Sequence, residues 1–303
     1  MKIVGHTNQQ DSLRQDVAAG NLAHAYLFTG PPQIGKYSLA RRLAKILQCA
    51  QGGCEDCAVC LNIEKGYHSD TLEMAADELI TIEVMRDTLA RLSTTAVGRY
   101  KILLIKNIER MKPETANTLL KSLEEPASAV VFIFTTSSGD DILPTILSRV
   151  RTVKFKLLEP AEVLEILRKR YPLEDAPKLA NVADLAFGLP GRAVMLMENP
   201  EMLARTRALF ERVRKVLMNG DVIERFALVE EVTKDKKDDP QFFREFCDIF
   251  LLALRYRMLE EAGEENDQLL RTASVITGTQ RLLALQKNNI NARLAFENLM
   301  LQL

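Results

Sequence analysis

The chain carries no surplus of charge. Its 303 residues include 40 lysines and arginines against 41 aspartates and glutamates, so no global field draws it onto nucleic acid or an anionic membrane. Any DNA contact has to come from a local patch or through partners. No apolar run approaches the length of a membrane span, and Met1-Lys2-Ile3-Val4-Gly5-His6 has no apolar signal core. The expectation is a cytoplasmic protein without membrane contact. Internal repeats and low-complexity segments are also missing. The three histidines, His6, His24 and His68, make no metal pattern with one another, and each reads as an ordinary structural residue.

What is present fits a soluble protein of two or three domains, each with a core. Hydrophobic residues make up 47% of the chain and charged residues 27%, both ordinary for a globular protein. Short β-rich runs at residues 25–29, 71–75, 101–105, 130–136 and 152–156 alternate with helical patterns near 36–47, 84–92 and 114–123. Near-continuous apolar strands separated by helices predict an α/β fold with a parallel sheet covered on both faces. After residue 156 the strand pattern stops. Glu159-Pro160 opens a helix over 161–170, and a second, over 177–187, ends at Gly188-Leu189-Pro190-Gly191. From residue 201 onward helical patterns cover 201–218, 222–232, 241–261, 268–286 and 292–301. Their breaks fall at Asn219-Gly220, the charged run 234–239, Ala262-Gly263 and Asn288-Asn289. The charged run reads as a solvated loop, and the amphipathic helices form a bundle suited to partner subunits. The domains are therefore expected at 1–157, 158–200 and 201–303.

Three places carry chemistry. Gly30-Pro31-Pro32-Gln33-Ile34-Gly35-Lys36 has the spacing of a phosphate-binding loop between a strand and a helix. Its backbone N–H groups would hold phosphate oxygens, and Lys36 would reach the outer phosphates. The following position should supply a hydroxyl to Mg²⁺ but is Tyr37, and Ser38 comes one residue late. The apolar run Ile102-Leu103-Leu104-Ile105 should be followed by an acid pair in an ATPase; here it is followed by Lys106-Asn107. Glu109, two residues further on, reads as a surface glutamate. The loop is thus expected to be degenerate, a scaffold for ATP or ADP without an intact Mg²⁺ site.

The second place is Cys49, Cys54, Cys57 and Cys60. Four cysteines in one loop, with Gly52-Gly53 to turn it, suit a closed tetrahedral structural zinc site in a reducing compartment. No arginine or lysine lies between Cys49 and Cys60, while Glu55 and Asp56 do, a poor surface for phosphate. The fifth cysteine, Cys247, sits on the apolar face of a helix and reads as a small core residue. The third place is Arg149. Taken alone it reads as an arginine paired with Asp140 or Asp141.

These residues resemble the bacterial AAA+ clamp-loader family of DNA polymerase III over nearly the whole chain. The resemblance rests on His24-Ala25-Tyr26-Leu27-Phe28-Thr29-Gly30-Pro31, the cysteine module and Asn117-Thr118-Leu119-Leu120-Lys121-Ser122-Leu123-Glu124-Glu125-Pro126. Leu143-Pro144-Thr145-Ile146-Leu147-Ser148-Arg149-Val150 resembles the segment ending in the family's Ser-Arg-Cys motif, with Val150 in place of the cysteine. Residues 289–297 are similar to the end of the delta-prime subunits in particular, whose ATP residues are commonly degenerate.

The resemblance implies an AAA+-type domain, a helical lid and an all-α collar within a hetero-oligomer. Its other members would be gamma/tau-like ATPase and delta-like subunits. It implies a stator that is not itself catalytic, lending Arg149 as a finger to a neighbour's ATP so that a sliding clamp is placed on primed DNA. Thr136 and Arg192 fall near the family's two sensor positions. Two alternatives stand beside this: an ATP-hydrolysing gamma/tau-like motor subunit, and a zinc-dependent nucleic-acid-binding protein.

Overall fold

Five apolar runs become the strands β1 (Ala25–Thr29), β2 (Thr71–Ala75), β3 (Lys101–Lys106), β4 (Val130–Thr136) and β5 (Arg151–Lys154). In a computed structural model of the chain they form one sheet in the order β2-β3-β4-β1-β5, and every neighbouring pair is parallel. The structure describes residues 5–76, 80–127, 129–234, 240–260, 266–284 and 291–303. Most of the charged run 234–239, Ala262-Gly263 and Asn288-Asn289 lie outside them.

Side chains alternate across a strand, so each run feeds two cores. Ala25, Leu27, Leu103, Ile105, Phe132 and Phe134 face one way; Tyr26, Phe28, Ile102, Leu104, Val131 and Ile133 face the other. The helices of this unit are α1 (Thr7–Ala18), α2 (Lys36–Gln48), α3 (Ala58–Glu64), α4 (Ile82–Leu92), α5 (Pro113–Asn117), α6 (Leu120–Glu124), α7 (Pro144–Leu147) and α8 (Pro160–Arg170). On the Tyr26 side lie Leu13 of α1, Ile63 of α3, and Leu39, Leu43 and Leu47 of α2, spaced one helical turn apart. Met85 of α4, Leu119, Leu123 of α6 and Ile146 of α7 cover the other face. Both faces are therefore dry, as continuous apolar strands require.

Local chemistry sets the helix starts. Thr81 caps α4 by accepting from the Val84 N–H, and Glu159 and Glu162 make a reciprocal capping box around Pro160 at the start of α8. The pattern at 114–123 resolves into α5 and α6 rather than one helix. Helix α1 gives little periodic signal because Leu13 is its one buried residue. It lies beside the edge strand β5: Gln9 donates to the Lys154 carbonyl at 2.9 Å, and Arg151 pairs with Asp16 at 2.9 Å.

The remaining helices are α9 (Ala176–Leu185), α10 (Pro190–Glu198), α11 (Pro200–Asn219), α12 (Val222–Lys234), α13 (Pro240–Glu260), α14 (Asn266–Ala284) and α15 (Ala292–Met300). The chain divides into two compact units, Met1–Glu174 with Gly188–Arg192 and Asp175–Phe187 with Ala193–Leu303. Residues 158–200 are shared between them: α8 and the Gly188–Arg192 turn belong to the first, α9 and most of α10 to the second. Among its described residues the second unit has helices and no strand. Its core centres on Phe296 of α15, whose ring meets Phe243, Phe246 and Phe250 of α13 at 5.8, 5.5 and 5.5 Å. Cys247 is fully buried in this core, as its apolar setting predicts. Among the described residues no helix is long and apolar enough to cross a membrane.

His6 has a structural role, as its ordinary reading allows. It is buried, its Nε2 donates to the Ile34 carbonyl at 2.9 Å, and its ring meets Phe155 edge-on at 4.9 Å. Burial lowers its pKa, against the opposing pull of the Ile34 carbonyl and the charge of Glu162. The neutral ring is the folded form, so its stabilisation is complete above about pH 6.5 and fades as the pH falls through the depressed value. Melting temperatures followed from pH 7.5 to 5 are expected to fall more steeply for the native chain than for His6→Asn. Parallel slopes would show that His6 is not linked to stability.

Candidate functional site

The loop after β1 sits where open parallel sheets bind ligands, beyond the carboxyl ends of the strands. Gly30, Gln33 and Gly35 all have positive φ (154°, 62° and 101°), the kind of backbone that gathers N–H groups into an anion-binding concavity. The loop is hemmed in on three sides. Gly30 N–H donates to the Thr136 carbonyl at 3.3 Å, Gly191 N–H donates to the Gln33 carbonyl at 2.8 Å, and His6 holds Ile34. Neither glycine has room for more: a Cβ on Gly30 would lie 2.7 Å from the Phe155 carbonyl oxygen, and one on Gly191 2.7 Å from that of Gln33.

Lys36 folds back on this loop. Its Nζ donates to the Gly30 and Pro31 carbonyls at 2.6 and 2.7 Å, and the residue is 7% exposed. Burial draws its pKa down to about 8, while the negative charge of Glu109 pushes back. The two carbonyls also favour the charged form. Tyr37 turns away, towards β2. Its hydroxyl donates to Glu73 Oε2 at 2.5 Å, Arg41 donates to both oxygens of Glu73, and the guanidinium lies 5.0 Å from the centre of the Tyr37 ring. Burial and the bond to Glu73 raise the Tyr37 pKa, so the hydroxyl stays protonated.

Lys106 ends β3, and Asn107 follows in the left-handed region at φ 56°, its N–H donating to Thr135 Oγ1. Glu109 differs from its surface reading. It is half-buried, Oε1 accepts from the N–H and hydroxyl of Ser137 at 3.0 and 2.7 Å, and Oε2 is buried with no hydrogen-bond partner among the described residues. The Thr136 hydroxyl is occupied locally, donating to the Ser138 carbonyl at 2.7 Å. Arg192 is buried one residue beyond the Gly191 contact with the loop.

The four cysteines come together at the far end of α2. All four sulfurs lie within 4.8 Å of one another, and Cys49 Sγ is 3.7 Å from both Cys54 Sγ and Cys57 Sγ. A tetrahedron with metal–sulfur bonds of about 2.3 Å has edges of about 3.8 Å, so the donor set fits zinc. Burial disfavours the Cys49 thiolate, but N–H donors from Cys54, Gln51 and Gly53 outweigh it and bring the thiol down to about 6. Burial pushes the Cys60 thiol up to about 12.

Arg149 follows α7 at the opposite end of this unit's sequence. Its partner is Glu124, at 2.6 Å, rather than Asp140 or Asp141. Nη1 also donates to the Thr145 carbonyl and Ser148 Oγ at 2.8 and 2.9 Å. Among the described residues none accepts from its Nε or its second Nη2 hydrogen, and the side chain is about one-third exposed, at 32%.

A family model described as "DNA polymerase III, delta subunit" matches residues 5–159, a span that includes the loop, the cysteines and Arg149. The DNA polymerase III subunit delta' of Pseudomonas aeruginosa is 32% identical over 306 residues, covering 92% of this chain and 91% of that protein. The chain belongs to the clamp-loader family of DNA polymerase III. Its likeness extends to other subunits of that family. The subunit gamma of Buchnera aphidicola (strain APS) is 29% identical across 78% of this chain and 67% of that protein. The subunit tau of Escherichia coli is 35% identical across 77% of this chain but only 38% of its own length. In fold, this clamp-loader family member resembles the Thermotoga maritima RuvB Holliday junction branch migration motor. The TM-score is 0.50 at 16% identity, over 71% of this chain and 76% of that one.

Sequence reading did not find Glu73, Arg41, Glu124 or the loop contact of Gly191. Glu73 left a trace: alternation in β2 puts Leu72 and Met74 on one covered face and Glu73 on the other, where a carboxylate needs a partner. Because Gly191 closes the loop, Gly191→Ala is expected to lower stability by about 1–3 kcal/mol through overpacking, read as a shift of the denaturant midpoint. An unchanged midpoint would mean that the loop gives way freely.

Proposed function

We propose that the chain is a delta-prime-like stator of the clamp loader, which works through Arg149 on a neighbour's ATP rather than through its own loop. The observation that carries this reading is the pairing at the loop. Tyr37 is committed to Glu73, Lys36 spends donors on loop carbonyls, and Lys106 stands where an ATPase would hold Mg²⁺ through an acid. The AAA+ scaffold could still hold ATP or ADP without turning it over. Arg149 has two N–H groups to offer and a carboxylate, Glu124, to exchange for phosphate oxygens. Thr136 and Arg192 would then be remnants of sensing positions.

In this reading the domains are the AAA+-type domain at 1–157, the lid at 158–200 and a collar at 201–303 that joins the other subunits. The partners are gamma/tau-like and delta-like subunits, with the sliding clamp and primed DNA engaged through the complex. The setting is the cytoplasm. In a reconstituted loader, Arg149→Ala is expected to leave assembly near normal and to slow hydrolysis at the site it faces by about 10³-fold or more. Unchanged turnover there would remove the finger assignment. Hydrolysis by the isolated chain at motor rates, lost in Lys36→Ala, would favour the gamma/tau-like reading.

The cysteine cluster is read as a structural zinc site held by Cys49, Cys54, Cys57 and Cys60. When bound, zinc would cross-link the end of α2 to the loop and α3, and the closed donor set leaves no place for a catalytic water. Elemental analysis of the purified chain is expected to find about one zinc per molecule. A metal-free protein of unchanged stability would refute the site.

A further inference from the structure

We infer that Arg42 and Lys45 of α2 are positioning residues for the metal, holding the cysteine ligands in place from the phosphate-loop helix. The inference rests on the zinc reading above. Lys45 is the unusual member. Its side chain is 4% exposed, and its ammonium pairs with Glu55 at 3.0 Å and Glu64 at 2.5 Å. Arg42 donates to the Gly53 carbonyl and to Glu55, both at 2.5 Å.

The acceptors matter more than the donors. Gly53 immediately precedes Cys54, Glu55 lies between Cys54 and Cys57, and Glu64 shares α3 with Cys60. Each segment that brings a cysteine to the cluster is thus tied to α2, and α2 itself ends one turn after Lys45 at Cys49. The loop needs such ties. Gly52, Gly53 and Glu55 all have positive φ, and Glu55 at 77° is not a glycine. A left-handed side-chain residue is disfavoured and persists only where its surroundings hold it.

Among the described residues Arg42 and Lys45 face Glu55 and Glu64. What this network supplies is order, since removing one partner of a buried pair leaves the other charge uncompensated. Ordinary exposed pairs, such as Arg212 with Glu231 on the helical unit, hold little. Outer partners that orient metal ligands typically change affinity by about 10–100-fold.

The test is zinc affinity of the full chain by chelator competition, with the absorption of the cobalt-substituted protein as a second readout. Lys45→Met and Arg42→Met are each expected to weaken zinc binding by about 10–100-fold and to alter the tetrahedral cobalt bands. Arg212→Met should change neither. Because the pair acts as a unit, Glu55→Gln combined with Lys45→Met should cost less affinity than the two single losses added. Equal affinity and unchanged cobalt bands in both Met variants would overturn the inference, even if the variants melt earlier. Should Lys45→Met fail to fold, Arg42→Met decides on the same criteria. If the native chain binds neither metal, it is the zinc reading that fails, which separates the two outcomes.

Discussion

The packing of α2 across one face of the sheet is the constraint on which both candidate centres depend. Its thirteen residues span about 20 Å at 1.5 Å per residue. Leu39, Leu43 and Leu47 are fully sunk against Tyr26, Phe28, Ile102 and Leu104, so the helix cannot slide without opening cavities. Its first turn carries Lys36 and Tyr37, its middle turns carry Arg41, Arg42 and Lys45, and Cys49 closes it. A change of register in this helix would disturb the phosphate loop and the cysteine cluster together. The chemistry of each end is different, but the positioning is shared.

Tyr37 takes on more meaning in that setting. Losing a hydroxyl at the Mg²⁺ position would by itself leave only a gap. The structure instead joins this tyrosine to Glu73 and Arg41, so α2 is fastened to the edge strand β2 by a half-buried hydrogen-bonded cluster. Satisfied polar networks of this kind specify one arrangement.

Much of the sheet was legible because its strands are short, apolar and separated by helices, and burial on both faces leaves few other uses for such runs. The phosphate loop and the cysteine cluster were legible because their chemistry needs fixed spacing. Partners across space were not. Arg149 has acids eight and nine residues before it in the chain, yet pairs with Glu124 from α6, because proximity in the fold is set by the sheet and not by the chain. Glu109 read as a surface residue for the same reason: Ser137, which holds it, comes from the end of β4. His6 gave no sign of its role because a histidine that serves one backbone carbonyl has no sequence pattern.

Helix α1 was the least legible element, being polar along most of its length, and its position has a consequence for how the chain behaves before any partner is present. A parallel sheet ends in two strands whose outer backbone groups are unpaired, and such edges invite pairing with another molecule. Strand β5 is one of these edges. It is only four residues long, it carries Arg151 and Lys154, and α1 reaches over it through Gln9 and Asp16. A helix that adds little to the core thus covers this edge of the sheet. A chain clipped ahead of residue 20 would retain most of its apolar contacts but expose a template for aggregation.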